Sequence, residues 1–264
     1  MAGGSREPGR SVTSRVLAVL GAFDADHSAL TLTDIARRSG VALTTVHRLA
    51  RELEAARMLG RDDRGRYHIG HRLWELGQLA PRRLLEVAHP WIQDLYAETG
   101  ENVHLAVRDG MEVLYVHKVY GRRAVPIVSR TGGRLPMHPT GVGKVLLAYE
   151  SEWFVTSYLA RTLERPTPHT VTEPGRLARE LASVRAQGYA FTYEEMTPGS
   201  CSVAAPIHRD RGGGEGGGGD GVPIAALGVV VSSRRARELP RLVEPLLATA
   251  REIARAYAAS PPAS

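Results

Sequence analysis

Thr44, Arg48 and Arg51 recur along one side of a helix at about 100° per residue, and Thr45 and His47 flank them. The set holds hydroxyls, an imidazole and guanidiniums, and no carboxylate. Such groups hydrogen-bond phosphate oxygens and base edges, and the planar guanidinium fork suits both. Further along, Arg61, Arg64 and Arg66 lie in and around the polar run Asp62-Asp63-Arg64-Gly65. This too is a pattern for meeting anions rather than for making or breaking bonds.

Other chemistry has weaker support. Thr140-Gly141-Val142-Gly143-Lys144 looks like the end of a phosphate-binding loop. However, His138 stands where that loop needs its first glycine, and Val145 where it needs the hydroxyl that holds magnesium. Nucleotide hydrolysis is disfavoured. Glu194 and Glu195 are adjacent, so on a strand their side chains diverge and make poor acid–base partners. Cys201 is the one cysteine; it excludes an internal disulfide and has no cysteine partner for a metal. The ten histidines include no i,i+4 pair beside an acid, and His104 and His117 fall on facing strands. No catalytic residue, metal or cofactor is expected.

The elements that must position the basic face are short. Thr31 caps a helix with Asp34 as reciprocal partner, and Gly40 ends it in the left-handed conformation. A second helix buries Val46, Leu49, Ala50 and Leu53. Two helices about a glycine turn form a helix-turn-helix, whose second helix enters the DNA major groove. Met58–Arg61 and Arg66–Ile69 then read as a small β-hairpin, a wing whose arginines meet phosphate. Upstream, Ser11 caps a helix expected to pack Val12, Val16, Leu17, Leu20 and Phe23 behind the pair.

The 264 residues suit two domains, and the net charge of +6 permits nucleic-acid binding without requiring it. Arginine dominates; the lysines are Lys118 and Lys144. No apolar run has transmembrane length, and the Gly-, Ser- and Arg-rich N-terminus does not read as a signal peptide, so a cytoplasmic protein without a membrane partner is expected. Residues 1–10 read as a disordered arm, 11–70 as the winged helix-turn-helix, 71–81 as a linker helix and 260–264 as a disordered tail. Leu73, Trp74 and Leu76 make the linker unusually apolar, which points to a dimer partner. A helix with Leu84, Leu85, Ala88, Trp91, Ile92 and Leu95 follows, interrupted or restarted at Pro90.

From Asn102 the pattern alternates about Asp109-Gly110, a hairpin signal. Further strands are expected at 125–129, 135–138, 189–193, 202–207 and 224–232, and helices at 141–149, 153–159, 176–187 and 239–258. This is an α+β domain over 82–259, expected to pack its helices on one face of the sheet. Residues 211–221 hold eight glycines in eleven and read as a loose loop.

The order of winged helix-turn-helix, apolar linker and sheet domain, with GGRLPMHPTGVGKVLLA and GYAFTYEEMTPGSCSVAAPI in the latter, resembles the IclR family of bacterial transcriptional regulators over Ser11 to Ala258. The resemblance implies a GAF-like second domain that binds a small effector. It also implies homodimers or dimers of dimers on palindromic operators near catabolic genes, acting as repressors or activators. The family pattern puts an effector carboxylate at amides matching Gly141 and Val142. Its opposite wall uses a position matching Cys201, an acid matching Thr192 and two serines matching Gly228 and Val230. Here the acid and both serines are absent. The expectation is therefore a pocket with its anion end kept and its polar end lost, suited to an aromatic or branched carboxylic acid, with Ala124 and Ile127 as apolar wall. Ordinary core packing is the alternative for each of these residues. A small-molecule binder or enzyme with an incidental helix-turn-helix is the alternative for the whole.

Overall fold

The computed structural model describes residues 10–24, 26–79, 83–121, 125, 128–209 and 221–260. It divides into two compact units at Pro81/Arg82. Residues 1–9 of the N-terminal arm, the glycine-rich run up to residue 220 and the tail from 261 lie outside the described residues, as do Ala124 and Ile127.

The first unit runs α1 (Val12–Leu20), β1 (Ala29–Leu30), α2 (Leu32–Ser39), α3 (Leu43–Ala55), β2 (Leu59–Arg61), β3 (Tyr67–Ile69) and α4 (His71–Gln78). Thr31 and Asp34 form the reciprocal cap of α2, and Gly40 ends it at φ +64°. Val19, Ile35, Val46, Leu49 and Leu59 close the core. Two expectations shift. On α1, Val12 and Leu17 stay exposed, because Val19 and Ala22 lie on the inward side. The wing gains a third strand, since β1 pairs with β3 in the order β1-β3-β2. Arg10, the last residue of the stretch read as an arm, donates to the Ser39 carbonyl at 3.0 Å.

The second unit begins with α5 (Arg83–Thr99), one helix that continues through Pro90 because Ala88, Ile92 and Leu95 on both sides of the proline are buried. Strands β4 (Asn102–Asp109) and β5 (Glu112–Val119) turn at Gly110, φ +62°. β6 (Arg134–Pro136), α6 (Gly141–Ala148), α7 (Glu152–Leu159) and α8 (Pro174–Gln187) follow, then β7 (Ala190–Tyr193), β8 (Ser200–Ile207), β9 (Ala225–Ser232) and α9 (Leu239–Ala259). The sheet is antiparallel in the order β6-β5-β4-β9-β8-β7.

Helices cover both faces of this sheet, not one. α5 and α9 pack with Val103, Leu105, Val203, Leu227 and Val229. α6, α7 and α8 pack with Ala106, Tyr115, Ala204 and Ala226 on the other side. The reason lies in β8 and β9, whose residues are buried almost without alternation; a strand apolar on both faces needs cover on both. The expected strand at 125–129 also fails among its described residues: Val125, Val128 and Ser129 are in no strand. The Ser129 carbonyl instead accepts from the Lys118 ammonium at 2.8 Å.

Candidate functional site

On the first unit, Thr44, His47, Arg48 and Arg51 are exposed along α3 and Thr45 is half-buried. The apolar stripe is turned into the core, so this face is left to solvent. It is less free of acid than its sequence suggests, because Arg48 pairs with Glu52 one turn on, at 2.7 Å and with both side chains more than half exposed. Such an exposed pair is weak and exchanges readily for a phosphate or a base. On the wing, Arg61 donates to the Gly65 carbonyl at 3.2 Å and stacks over Tyr67. Arg66 is held by Asp62 at 2.8 Å. That carboxylate also accepts the backbone amides of Arg64 and Arg66, which keep its pKa below the usual range. Arg64 stands exposed at the wing tip. Sequence reasoning missed Leu43, half-exposed at the start of α3, which lines a cleft with Leu32, Thr33, Thr44 and His47. Its only signal was an apolar residue outside the helix's buried stripe.

On α4, Leu73 is half-buried, while Trp74 (65%), Leu76 (38%) and Leu79 (78%) are exposed. That much large apolar surface on an eight-residue helix is unusual for a finished surface.

In the second unit, a small cavity of about 50 Å³ lies between α6 and the sheet. Thr140 caps α6: its hydroxyl accepts from the Gly143 amide at 3.2 Å, and its carbonyl accepts from the Lys144 backbone amide at 2.8 Å. The amides of Gly141 and Val142 remain as the first-turn donors of a helix start, a site that favours anions. Close approach requires the glycines. A Cβ on Gly143 would meet the Met137 carbonyl at 2.2 Å, and one on Gly141 would meet the Ser202 hydroxyl at 2.7 Å. Val142 lies over Gly228, where a Cβ would come within 3.0 Å of it.

Gly141, Val142, Thr192, Gly228 and Val230 all line the cavity. Cys201 also contributes to the lining, but it belongs to the core cluster on the other face of the sheet, with Val203 and Ala205. Strand alternation gives the cavity face to Ser202, whose hydroxyl meets that of Thr192 at 2.6 Å. The wall is also more polar than expected. His104, Tyr115, Ser129 and Thr140 line it beside Thr192 and Ser202. No local sequence signal pointed to His104 or Ser129, because they meet only through the sheet register. Burial holds His104 uncharged, with its pKa lowered to about 3 by desolvation and then by the Lys118 charge.

Lys144 does not face the cavity as a phosphate ligand. It is 2% exposed and paired with Glu180 at 2.6 Å and Glu195 at 2.7 Å. Glu194 and Glu195 diverge, in a turn rather than on a strand. Glu194 sits at φ +55° and accepts from the Gly199 amide, while Glu195 is buried with its pKa raised by desolvation. His104 pairs in register with Lys118, and His117 with Leu105, so the two histidines point to opposite faces. Among the described residues, no group of three or more His, Cys, Asp or Glu could hold a metal ion, and no helix is long and apolar enough to cross a membrane.

Two family profiles match the chain. Residues 12–63 match the IclR helix-turn-helix domain, and residues 77–255 match the bacterial transcriptional regulator IclR C-terminal domain. The chain belongs to the IclR family. It is a transcriptional regulator with a DNA-binding and an effector-binding domain. The glycerol operon regulatory protein of Streptomyces coelicolor is 35% identical over 247 residues, covering 92% of each chain. The transcriptional repressor IclR of Escherichia coli is 34% identical over 195 residues, covering 70% of each. Among solved structures, an IclR homolog from Microbacterium hydrocarbonoxydans, complexed with 4-hydroxybenzoate, superposes with a TM-score of 0.85 at 33% identity, covering 95% of this chain and 100% of that one. This IclR-family chain thus pairs an exposed basic helix with a buried, anion-ready cavity.

Proposed function

We propose that this regulator binds a palindromic operator as a homodimer, or dimer of dimers, and changes its grip when a small aromatic carboxylate enters the second unit. It acts in the cytoplasm as repressor or activator of a catabolic operon. The observation that carries the effector reading is the start of α6, where two first-turn amides border a cavity walled by Val142 and Val230. The 4-hydroxybenzoate complex of the Microbacterium homolog supports a carboxylate of this size. Thr192, Ser202 and Gly228 form the facing wall, and Cys201 contributes from beneath.

Thr44, Thr45, His47 and Arg48 read base edges near the start of α3, while Arg51, Arg61, Arg64 and Arg66 meet phosphate. Arg64 is the best placed of the wing arginines, since Arg66 must first leave Asp62. Leu73, Trp74 and Leu76 join two copies, and Trp74→Asp is expected to give monomers that no longer bind a two-half-site operator. The relatives above are regulators, which argues against an enzyme with an incidental helix-turn-helix.

The test is a panel of aromatic, branched and short hydroxylated acids, scored by thermal shift and by operator release. A true effector at about a hundred times its Kd is expected to stabilise the second unit by about 2.7 kcal/mol. A response to short oxygen-rich acids alone would sink the aromatic reading.

A further inference from the structure

The polar groups at the β4 and β5 side of the cavity form an ordered set. His104 is 4% exposed and lines the cavity. Its Nε2 lies 3.4 Å from the Ser129 hydroxyl, a long contact that orients the ring without saturating it. Tyr115 meets the imidazole edge to face at 5.4 Å. Directly across the strand pair stands Lys118, itself 8% exposed. Its ammonium donates to the Ser129 carbonyl at 2.8 Å and sits over the Tyr120 ring at 4.2 Å. No carboxylate among the described residues pairs with it. A buried ammonium left unneutralised gives this side of the cavity a positive field.

The distance to the anion site follows from the sheet order. Gly141 abuts Ser202 and Ala204 on β8, and Val142 abuts Gly228 on β9. His104 lies on β4, the next strand, directly opposite Gly228. From β8 to β4 is two strand spacings, roughly 10 Å. A six-membered ring with a polar group at each end is of that order of length, and both ends of the span border one cavity. Val142, Val230 and the Tyr115 ring supply the apolar faces between.

We propose that His104, oriented by Ser129 and backed by Lys118, is a specificity-determining residue that recognises a hydroxyl on the ring of an aromatic carboxylate whose carboxyl group lies at the start of α6. This rests on the effector reading above and narrows it to ring-hydroxylated acids. The uncharged imidazole hydrogen-bonds the hydroxyl, and the Lys118 field favours electron density on the hydroxyl oxygen. A site built to bond a hydroxyl discriminates strongly against the analogue that lacks it, because its own polar group is then buried unpaired.

The experiment titrates benzoate and the three monohydroxybenzoates into the full chain and into His104→Phe, His104→Gln and Ser129→Ala, following affinity by calorimetry and folding by thermal melts. The native chain is expected to bind at least one hydroxybenzoate ten-fold or more tighter than benzoate. His104→Phe is expected to reduce that ratio to about two or less. His104→Gln retains part of the preference, and Ser129→Ala loses part of it. If His104→Phe does not fold, the Gln and Ala variants carry the test. A ratio unchanged in the folded variants overturns the proposal, as does native binding of benzoate as tight as that of every hydroxybenzoate. If none of the four binds but another carboxylate does, the proposal fails and the carboxylate reading stands; if no acid binds, both fail.

Discussion

The two units solve opposite problems. The exposed basic face of α3 is drawn from a single helix, and its groups stand in water, where Arg48 and Glu52 share a weak bond. The cavity draws on β4, β5, β6, α6, β7, β8 and β9, and His104, Tyr115, Ser129, Thr140 and Thr192 in its wall are buried. An exposed face needs only that its helix form and its other side pack. A buried one needs every strand in register before any two of its groups meet. Charge behaves accordingly: a pair that contributes little at the surface becomes decisive in the interior.

The sharpest test of that contrast is the buried ion cluster. Lys144→Met leaves the Glu195 carboxylate buried without its cation and is expected to cost about 3–5 kcal/mol in denaturant unfolding. Lys144→Met combined with Glu195→Gln should recover part of the loss, and no recovery would show that packing rather than charge is responsible.

Next in size is Arg48→Ala, expected to cost about 1–3 kcal/mol in operator affinity and to relax base preference if its contact is bidentate, with the fold unchanged. Equal operator binding in gel-shift titrations would move base reading off α3.

The third test concerns pH. The folded chain keeps His104 neutral down to about 3, whereas the unfolded chain protonates it near 6.5. The unfolded state therefore binds the extra proton, and this group's contribution to stability is full above 6.5 and falls on acidification toward 3. The slope is up to about 1.4 kcal/mol per pH unit. Native stability minus that of His104→Phe, measured across this range, is expected to show it; a flat difference would mean that the imidazole is hydrated.

The smallest effect is expected at the surface pair. Glu52→Gln should change stability by about 0.5 kcal/mol or less and release Arg48 for DNA, tightening binding at low salt.

The same contrast explains what was legible in the sequence. The capping box of α2, the left-handed Gly40 and the buried stripe of α3 are patterns within a few residues of one another, and all three form. The strands and helices of the second unit fall within a residue or two of their periodic signals, except 125–129. What could not be read is what register decides. β9 returns from across the chain to pair with β4, placing His104 opposite Gly228. A one-residue step along β8 exchanges Cys201 for Ser202 on the cavity face. The double-sided cover of the sheet goes with the runs Val203–Ile207 and Ala225–Val231, buried throughout, which the expectation of helices on one face left unused. The helix start at Gly141 and Val142 was legible because such a start is local.

All eight residues of α6 are buried, and it is pinned at its start by Thr140, along its side by Gly143 against Met137, and through Lys144 to two other segments. Mechanically, the α6 end of the cavity is an anvil. The segment carrying Val128 and Ser129 lies in no strand, and Val128 is 55% exposed. A ligand pressed against this helix start is expected to displace the strand-free side of the cavity. On that expectation, the stiffness of one helix sets the direction in which the work of binding is delivered, toward the segment of Val128 and Ser129.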